Sequence, residues 1–299
     1  MSAGGALASI SIDIDPVDTH LSGYGFEDKD PCDLVYRKAV PRLLDLLDEL
    51  GVRATLFVVA RDAAREAPLL REVVARGHEV ASHSWSHAVP FRALDDAALT
   101  WELEGSRAAL EQAIGGEVQG FRAPAWDVDD RVLAGLARAG YRYDASIFPT
   151  PVLAASRLVA WLKGAGKGSV LGMQVVGHAL APLRPHKVTT PDGPLMELPI
   201  AVTPWLRLPY YHTFAYFVPR RVMDAEYASL RRSGLPLSYE LHAADLLDLK
   251  EDGVDPRMAC HPGMDRPVAA KADLLRSILG PIARDFDVVP LRELAAAHE

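Results

Sequence analysis

Short apolar segments alternate with helical patterns along this chain, and several of them end at a polar or charged residue. Apolar segments of this length, separated by amphipathic helices, are typical of strands in a parallel sheet. The predicted strands are residues 7–14, 54–60, 78–82, 118–121, 141–145, 237–241 and 286–289. Strand and helix in regular alternation predict an α/β fold, with a parallel sheet or barrel inside and helices outside.

Capping residues mark where the helices between these strands begin and end. Leucine, valine and alanine recur at helical spacing from Leu34 to Leu50, and Gly51 ends that pattern. Asp95 is a candidate N-cap for a helix that continues to Ile114, and Asp129 or Asp130 for the next one.

The alternation is interrupted between residues 150 and 218. Ten of the 22 prolines fall between Pro149 and Pro219, which predicts a mostly irregular insertion with short strands near Val188 and from Met196 to Val202. A long irregular stretch within a compact domain often covers a functional site. We find no repeat and no linker, so we predict one domain over residues 1–299.

Composition excludes several classes of protein. The net charge of −8 argues against a nucleic-acid backbone as the partner. The two cysteines, Cys32 and Cys260, form no disulfide framework and no Cys-x-x-Cys motif, which indicates a reducing compartment. We see no secretory signal pattern and no apolar run of about 18 residues, so we expect a cytoplasmic protein. Peripheral contact with the inner membrane stays open.

Two histidines four positions apart follow the third predicted strand. If the chain turns helically there, the side chains of His83 and His87 project from the same face and can hold one metal ion. A carboxylate would be the third ligand, and the segment after the first strand offers Asp13, Asp15 and Asp18. Strand alternation places Asp13 and Asp15 on the same side.

Other polar residues also lie at strand ends. Arg122 follows the fourth predicted strand and His242 a late one. In a parallel α/β barrel these ends face the same side of the molecule, where active sites are built. Residues far apart in sequence would therefore converge on one site.

Four motifs, taken in order, resemble those of the NodB-type polysaccharide deacetylases, carbohydrate esterase family 4. They are Asp13-Ile14-Asp15, Ser82-His83-Ser84-Trp85-Ser86-His87, Phe121-Arg122-Ala123-Pro124 and Leu241-His242. The resemblance implies a distorted (β/α) barrel, a divalent metal held by an Asp-His-His set, and hydrolysis of an N-acyl group on an amino sugar. The segments Ile12-Asp13-Ile14-Asp15 and Leu241-His242-Ala243-Ala244-Asp245 also resemble the branch that deformylates undecaprenyl-phosphate aminoarabinose.

The same resemblance implies a role for each motif residue. Asp13 would be the catalytic base and Asp15 the metal ligand beside His83 and His87, with Asp18 as the alternative ligand. Many family members have adjacent aspartates, whereas Ile14 separates them here.

Arg122 resembles the arginine that keeps the family's base ionised and oriented. His242 resembles the histidine that protonates the leaving amine. His261, in Cys260-His261-Pro262-Gly263, is the alternative acid.

Further residues are candidates for the substrate side of the site. Asp144 and Glu197 would tune the acid histidine or bind substrate, and Trp126 would contact substrate. The irregular region also carries a dense aromatic and aliphatic patch between Trp205 and Phe217. It suits either core packing by a cover or an apolar surface for a lipid-linked sugar.

The predicted function is removal of an acetyl or formyl group from an amino sugar, with lipid linkage of that sugar left open. Zinc is the first choice of metal, and cobalt, nickel or manganese would suit the same donors. Two alternatives remain: a hydrolase of small linear or cyclic amides, similar to allantoinases, and a barrel that binds a sugar or lipid without catalysis.

Overall fold

The computed structural model describes residues 6–26, 32–152 and 178–299 of the chain. In these ranges nine strands form one sheet. Their bounds are Leu7–Ile14 (β1), Thr55–Val58 (β2), Glu79–Ser82 (β3), Gly120–Phe121 (β4), Tyr143–Asp144 (β5), His186–Thr190 (β6), Gly193–Glu197 (β7), Leu237–His242 (β8) and Asp287–Val288 (β9).

The sheet is parallel except at one edge. The strand order is β6-β7-β5-β4-β3-β2-β1-β8, β9 pairs with the start of β1, and only β6 and β7 run antiparallel. The register places Asp13 beside His242 on β8 and beside Phe57 on β2. The predicted α/β fold with a parallel sheet is confirmed.

One backbone hydrogen bond connects the chain after β7 to the opposite side of the sheet. The amide of Ala201 donates to the carbonyl of Ser238 on β8, at 2.9 Å. Because β8 stands last in the strand order, this bond brings the two sides of the sheet together. The sheet is therefore curved in the sense that the predicted distorted barrel requires.

Helices follow most of the strands. Their bounds are Val17–Gly23 (α1), Val40–Leu50 (α2), Ala63–Ala75 (α3), Asp96–Thr100 (α4), Ser106–Ile114 (α5), Asp130–Arg138 (α6), His212–Ala215 (α7), Arg220–Ser233 (α8), Val268–Asp285 (α9) and Leu291–Ala296 (α10). Two predicted caps are confirmed, since the Asp95 carboxylate accepts from the amide of Ala98 and the Asp129 carboxylate from that of Val132.

The helices differ from the sequence prediction in three respects. The helix predicted from Leu34 to Leu50 begins with a π-helical segment, Val35–Ala39. The helix predicted from Asp95 to Ile114 contains a π-helical segment, Trp101–Gly105, between α4 and α5. The short helices α1 and α7 were not predicted, because seven and four residues are too few to show a helical period. In the insertion, β6 and β7 form a hairpin where the sequence indicates short strands, and residues 153–177 lie outside the described ranges.

The two faces of β1 show how the fold positions the site. Ile10, Ile12 and Ile14 are fully buried in the main apolar core, as in a strand covered by helices. Ser11 and Asp13 alternate with them, so they point to the other side of the sheet and are also buried. A parallel strand buried on both faces can thus carry a carboxylate inside. The prediction of one domain over the whole chain stays a prediction.

Candidate active site

Asp13 lies at the carboxyl end of β1, in contact with a fully buried arginine. The Nη1 atom of Arg122 donates to Asp13 Oδ1 at 2.6 Å, and its Nη2 atom donates to Ser11 Oγ at 2.8 Å. The Arg122 Nε atom donates to the carbonyl of Ala145 at 3.0 Å, and the guanidinium stacks on the Phe57 ring at 4.2 Å. Three hydrogen bonds and one ring contact therefore fix the position of the arginine, and the arginine in turn fixes the orientation of the Asp13 carboxylate.

The charges around Asp13 favour its ionised form. Burial raises the pKa of Asp13, but the Arg122 guanidinium and the imidazoles of His83 and His242 outweigh burial, so that this pKa lies below its usual range. A carboxylate that stays ionised and has one oxygen turned away from the arginine is suited to accept a proton.

Two residues after Asp13, the Asp15 side chain lies close to those of His83 and His87. The Nε2 atoms of His83 and His87 lie 3.3 Å and 3.7 Å from Asp15 Oδ1, and the donor atoms of the three residues all lie within 4.8 Å of one another. Two imidazole nitrogens and one carboxylate oxygen are a frequent donor set for a catalytic zinc ion, which keeps a further position open.

Three observations test whether this donor set fits a divalent ion. Asp15 Oδ1 is buried and has no hydrogen-bond partner among the described residues, which is costly unless a cation or proton accompanies it. His83 Nδ1 lies 2.8 Å from the carbonyl of Arg122, and a proton on Nδ1 leaves the Nε2 lone pair directed at Asp15. Burial lowers the pKa of His87 to about 4, so its imidazole is neutral, as a metal ligand must be. The residues fit the ion.

A second group, Asp13, Glu240 and His242, also has donor atoms within 4.8 Å of one another. This group suits a cation less well, because the guanidinium of Arg122 is bonded to Asp13 and would repel it. Of the two groups, Asp15, His83 and His87 therefore suit a divalent ion better, and their role as ligands stays a prediction.

His242 lies at the end of β8, beside the Asp15 oxygen that is not the one nearest the histidine pair. Its Nε2 atom is 3.8 Å from Asp15 Oδ2, and its Nδ1 atom is 3.3 Å from Glu240 Oε1. Burial lowers the pKa of His242, but Glu240, Asp15 and Asp13 raise it more, to about 9. At neutral pH its imidazole therefore carries a proton that it can donate.

Glu240 was not singled out in the sequence. It is fully buried two residues before His242, and neither carboxylate oxygen has a hydrogen-bond partner among the described residues. Residues i and i+2 of a strand share a face, so a charged residue at this spacing within an apolar strand was the available signal.

His261 lies beside the same site but has a different partner. The hydroxyl of Tyr24 lies 2.8 Å from His261 Nδ1. The rings of His20, His242 and His261 form a triangle, with centroids 4.8 Å apart for His20 and His261, 5.7 Å for His20 and His242, and 6.4 Å for His242 and His261. Of the two candidate acids, only His242 has an ion-pair distance to Asp15 among the described residues. The choice of His242 stays a prediction.

The remaining candidates are placed as follows. Asp18 pairs with Arg61 at 2.5 Å and is absent from both donor groups. Asp144 and Glu197 are fully buried and accept hydrogen bonds from Ser146 and from the amide of Ile147.

The described residues contain no hydrogen bond or ion pair between Asp144 or Glu197 and His242, whose nearest carboxylate is Glu240. Trp126 has a left-handed backbone, with φ of 55°, and packs edge-on against Phe148 and Tyr211. Substrate contact by these side chains stays a prediction.

Comparison with known proteins identifies the family that the motifs resemble. Residues 25–143 match the profile described as polysaccharide deacetylase. A chitooligosaccharide deacetylase of Sinorhizobium fredii is 36% identical over 100 residues, which are 33% of this chain and 46% of that protein. A peptidoglycan deacetylase of Helicobacter pylori is 29% identical over 151 residues, or 47% of this chain and 49% of that protein. The resemblance to the polysaccharide deacetylases is confirmed.

The alignments reach only part of each protein. The matched region spans about half the length of these two relatives and 21% of a chitin deacetylase of Cryptococcus neoformans. The profile match, residues 25–143, includes His83, His87 and Arg122 but begins after Asp13 and Asp15 and ends before His242. The special likeness to the formamido-arabinose deformylase branch stays a prediction.

Solved structures show the same fold over nearly the whole chain. A structure from Mycobacterium smegmatis, assigned to the polysaccharide deacetylases, has a TM-score of 0.61 at 21% identity and covers 99% of this chain and 91% of that one. The Puue allantoinase has a TM-score of 0.61 at 14% identity, with the same coverage. At these identities the likeness shows the fold, and the predicted NodB-type architecture is confirmed.

Proposed function

We propose that this protein is a metal-dependent hydrolase that removes an N-acyl group from an amino sugar. The observation that carries the proposal is that the Asp15-His83-His87 donor set lies beside both Asp13, which pairs with Arg122, and His242, with His83 Nε2 3.8 Å from Asp13 Oδ2 and His242 Nε2 3.8 Å from Asp15 Oδ2. A hydrolytic site needs a proton acceptor for the attacking water and a proton donor for the leaving amine, and Asp13 and His242 are suited to these two parts. The names of the chitin, chitooligosaccharide and peptidoglycan deacetylase relatives support the substrate class.

Each residue has a separate part in the reaction. Asp15, His83 and His87 would hold a divalent ion, which would supply Lewis acidity to the amide carbonyl and to the attacking water. Asp13 accepts the proton of the attacking water, and Arg122 keeps Asp13 ionised and oriented. His242 donates its proton to the amine nitrogen as the carbon–nitrogen bond breaks, while Glu240 holds its Nδ1 side.

The donor set narrows the choice of metal and the relatives narrow the choice of acyl group. Two imidazoles and a carboxylate suit zinc first and cobalt, nickel or manganese next. Acetyl is the acyl group that the relatives' names indicate, and formyl is the alternative. Allantoin-type amides form the second substrate class, since the allantoinase fold covers the same length of chain.

A lipid-linked sugar is a finer proposal, supported by one exposed feature. The side chains of Trp205 and Leu206 are 91% and 70% exposed at one turn, beside grooves lined by Arg221 and Arg232 of α8. Large exposed apolar side chains flanked by arginine are typical of proteins that touch an anionic lipid surface. No helix in the described ranges is long and apolar enough to span a bilayer.

Metal content and turnover test the proposal together. We expect about one equivalent of a divalent ion in protein purified without added metal, and its loss in His83→Ala/His87→Ala. With N-acetyl and N-formyl amino sugars, Asp13→Asn should lose turnover at least about 100-fold while it keeps the ion. The exposed carboxylate variant Asp45→Asn serves as the control.

Two results would contradict the proposal. A wild-type protein that holds no divalent ion, even on titration, would leave a binding barrel as the better description. Loss of the ion in Asp13→Asn would make Asp13 a ligand rather than the base.

Turnover of allantoin without turnover of any amino sugar would favour the second substrate class.

A further inference from the structure

The turn that carries His87 has an unusual backbone. Ser84 and His87 have φ angles of 66° and 61°, in the left-handed region that residues other than glycine seldom adopt. The Ser84 hydroxyl accepts from the amide of His87 at 3.0 Å, which closes the turn on itself. Such a conformation persists only when the surrounding structure holds it.

Glu102 makes the contacts that hold this turn from outside. Its Oε2 atom accepts from the amides of Trp85 and Ser86 at 2.9 Å and 3.0 Å, and its Oε1 atom accepts from the Ser86 hydroxyl at 2.5 Å. Glu102 is buried and forms no ion pair with any described residue. Its carboxylate therefore accepts hydrogen bonds from the two consecutive residues that directly precede His87.

The π-helical segment Trp101–Gly105 brings two side chains to the turn at once. Glu102 provides the hydrogen bonds, and the Trp101 ring packs on the Trp85 ring, with centroids 4.9 Å apart. A Cβ atom on Gly105 would lie 3.2 Å from the Trp101 ring, so glycine leaves room for that ring. Single π-helical turns inside α-helices occur often at functional sites.

The start of α5 fixes the same segment to the sheet. Ser106 Oγ lies 3.0 Å from the hydroxyl of Ser82, the last residue of β3 and the neighbour of His83. This helical region therefore contacts the chain on both sides of His83, at Ser82 before it and at Trp85 and Ser86 after it. The π-helical segment therefore contributes to the position of His87 as well as to the packing of the helix.

We infer that Glu102 is a positioning residue for divalent-ion binding. Through Trp85 and Ser86 it holds the left-handed turn that keeps His87 Nε2 near Asp15 Oδ1. The inference rests on the proposed function only in taking Asp15, His83 and His87 as the donors. Glu102 contacts neither the ion nor the substrate in this assignment.

The test uses two substitutions and a matched control. Glu102→Ala removes all three hydrogen bonds, and Glu102→Gln retains one acceptor oxygen. Glu104→Ala, on the same π-helical segment, removes an exposed carboxylate and serves as the control. For each metal-free protein we would measure the zinc dissociation constant by competition with a chelating indicator, and amide hydrogen exchange across residues 84–87.

We expect Glu102→Ala to weaken zinc binding about 10–100-fold, as is typical when a partner of a metal ligand is lost. Its amides at Trp85 and Ser86 should exchange faster in the absence of metal. Glu102→Gln should fall between Glu102→Ala and the wild type in both measurements, and Glu104→Ala should match the wild type. The Gln variant also decides the question if the Ala variant does not fold.

The outcomes separate this inference from the proposed function. Wild-type zinc affinity in both Glu102 variants would overturn the inference and leave the proposed function intact. Equal loss of affinity in Glu102→Gln and Glu104→Ala would also overturn it, since the effect would then not depend on the contacts to the turn. A wild-type protein that binds neither zinc nor any other divalent ion on titration would overturn both, and that result is visible before any variant is made.

Discussion

Arg122 and Asp13 form a hydrogen-bonded ion pair of 2.6 Å between strand ends that lie 109 positions apart in sequence. Arg122 is fully buried, and the Asp13 side chain is nearly so. Removing one member of a buried pair leaves the other charge without compensation, which costs more than the pair contributes as a whole. The pair therefore couples the stability of the barrel to the ionisation of the proposed base.

The first prediction is a double-mutant cycle on this pair. Arg122→Met should lower the free energy of unfolding by about 3–5 kcal/mol, because it leaves the Asp13 carboxylate buried and unpaired. Asp13→Asn/Arg122→Met should be less destabilised than the sum of the two single variants. Denaturant unfolding of the metal-free proteins measures all four corners.

The exposed pair of Arg138 and Asp192 provides the comparison for this cycle. The Arg138 side chain is 60% exposed and that of Asp192 is 28% exposed, so Arg138→Met should change stability by less than about 1 kcal/mol. Strict additivity at Arg122 and Asp13 would show that the buried pair does not couple the two strands.

The second prediction concerns the protonation of His242. In the metal-free protein its imidazole should titrate near pH 9, because Glu240 and the neighbouring aspartates stabilise the cation against the effect of burial. Glu240→Gln removes the nearest of these charges, so the pKa of His242 should fall. Histidine ring resonances followed by NMR across pH 5 to 10 measure the shift.

Turnover offers a second measurement on the same variant. Because less of His242 is protonated in Glu240→Gln at a given alkaline pH, the activity of this variant should be lower than that of the wild type at alkaline pH. The difference should be smaller near pH 6. Glu251→Gln, which removes an exposed carboxylate, should leave the NMR titration and the rate profile unchanged. An unchanged pKa of His242 in Glu240→Gln would show that Glu240 does not act on this imidazole.

The sequence predicts much of this site because strand ends are visible in it. Asp15, His83, Arg122 and His242 each follow an apolar run, and a parallel sheet brings such ends to one face. The pattern does not depend on exact element bounds, since a strand two residues shorter still ends on the same side. The sequence alone therefore predicts that these residues, which are far apart along the chain, converge on one site.

Glu240 and Glu102 escaped prediction for different physical reasons. Glu240 shares a face with His242, but a lone acidic residue within a strand resembles an exposed position until both faces of that strand are known to be buried. Glu102 acts through the π-helical segment, and the helical period alone predicts an uninterrupted α-helix there. Its partners are backbone amides of another segment, which leave no mark on the sequence pattern.

The third prediction tests the exposed turn at Trp205. If it touches lipid, the wild-type protein should sediment with vesicles rich in phosphatidylglycerol and less with phosphatidylcholine vesicles, because Arg221 and Arg232 flank the turn. Trp205→Ser/Leu206→Ser should abolish the binding. Val74→Ser, at a partly exposed position of α3, is the control. Equal binding by the double variant would remove the support for a lipid-linked substrate.

The last prediction concerns Glu226 on α8, whose carboxylate is buried and has no hydrogen-bond partner among the described residues. Burial raises its pKa from 4.5 to about 7, so the folded protein retains a proton that the unfolded chain releases above pH 4.5. Stability from this group is therefore fully present below about pH 4.5 and declines as the pH rises to 7.

Glu226→Gln should remove this decline, because an amide does not ionise. The variant should gain about 1–3 kcal/mol of unfolding free energy relative to the wild type between pH 5 and pH 8, with most of the gain reached by pH 7. Denaturant unfolding at several pH values measures the difference, with Glu251→Gln as the exposed control. A difference that does not vary with pH would mean that Glu226 is ionised in the folded protein throughout this range, with a partner or solvent that stabilises its charge.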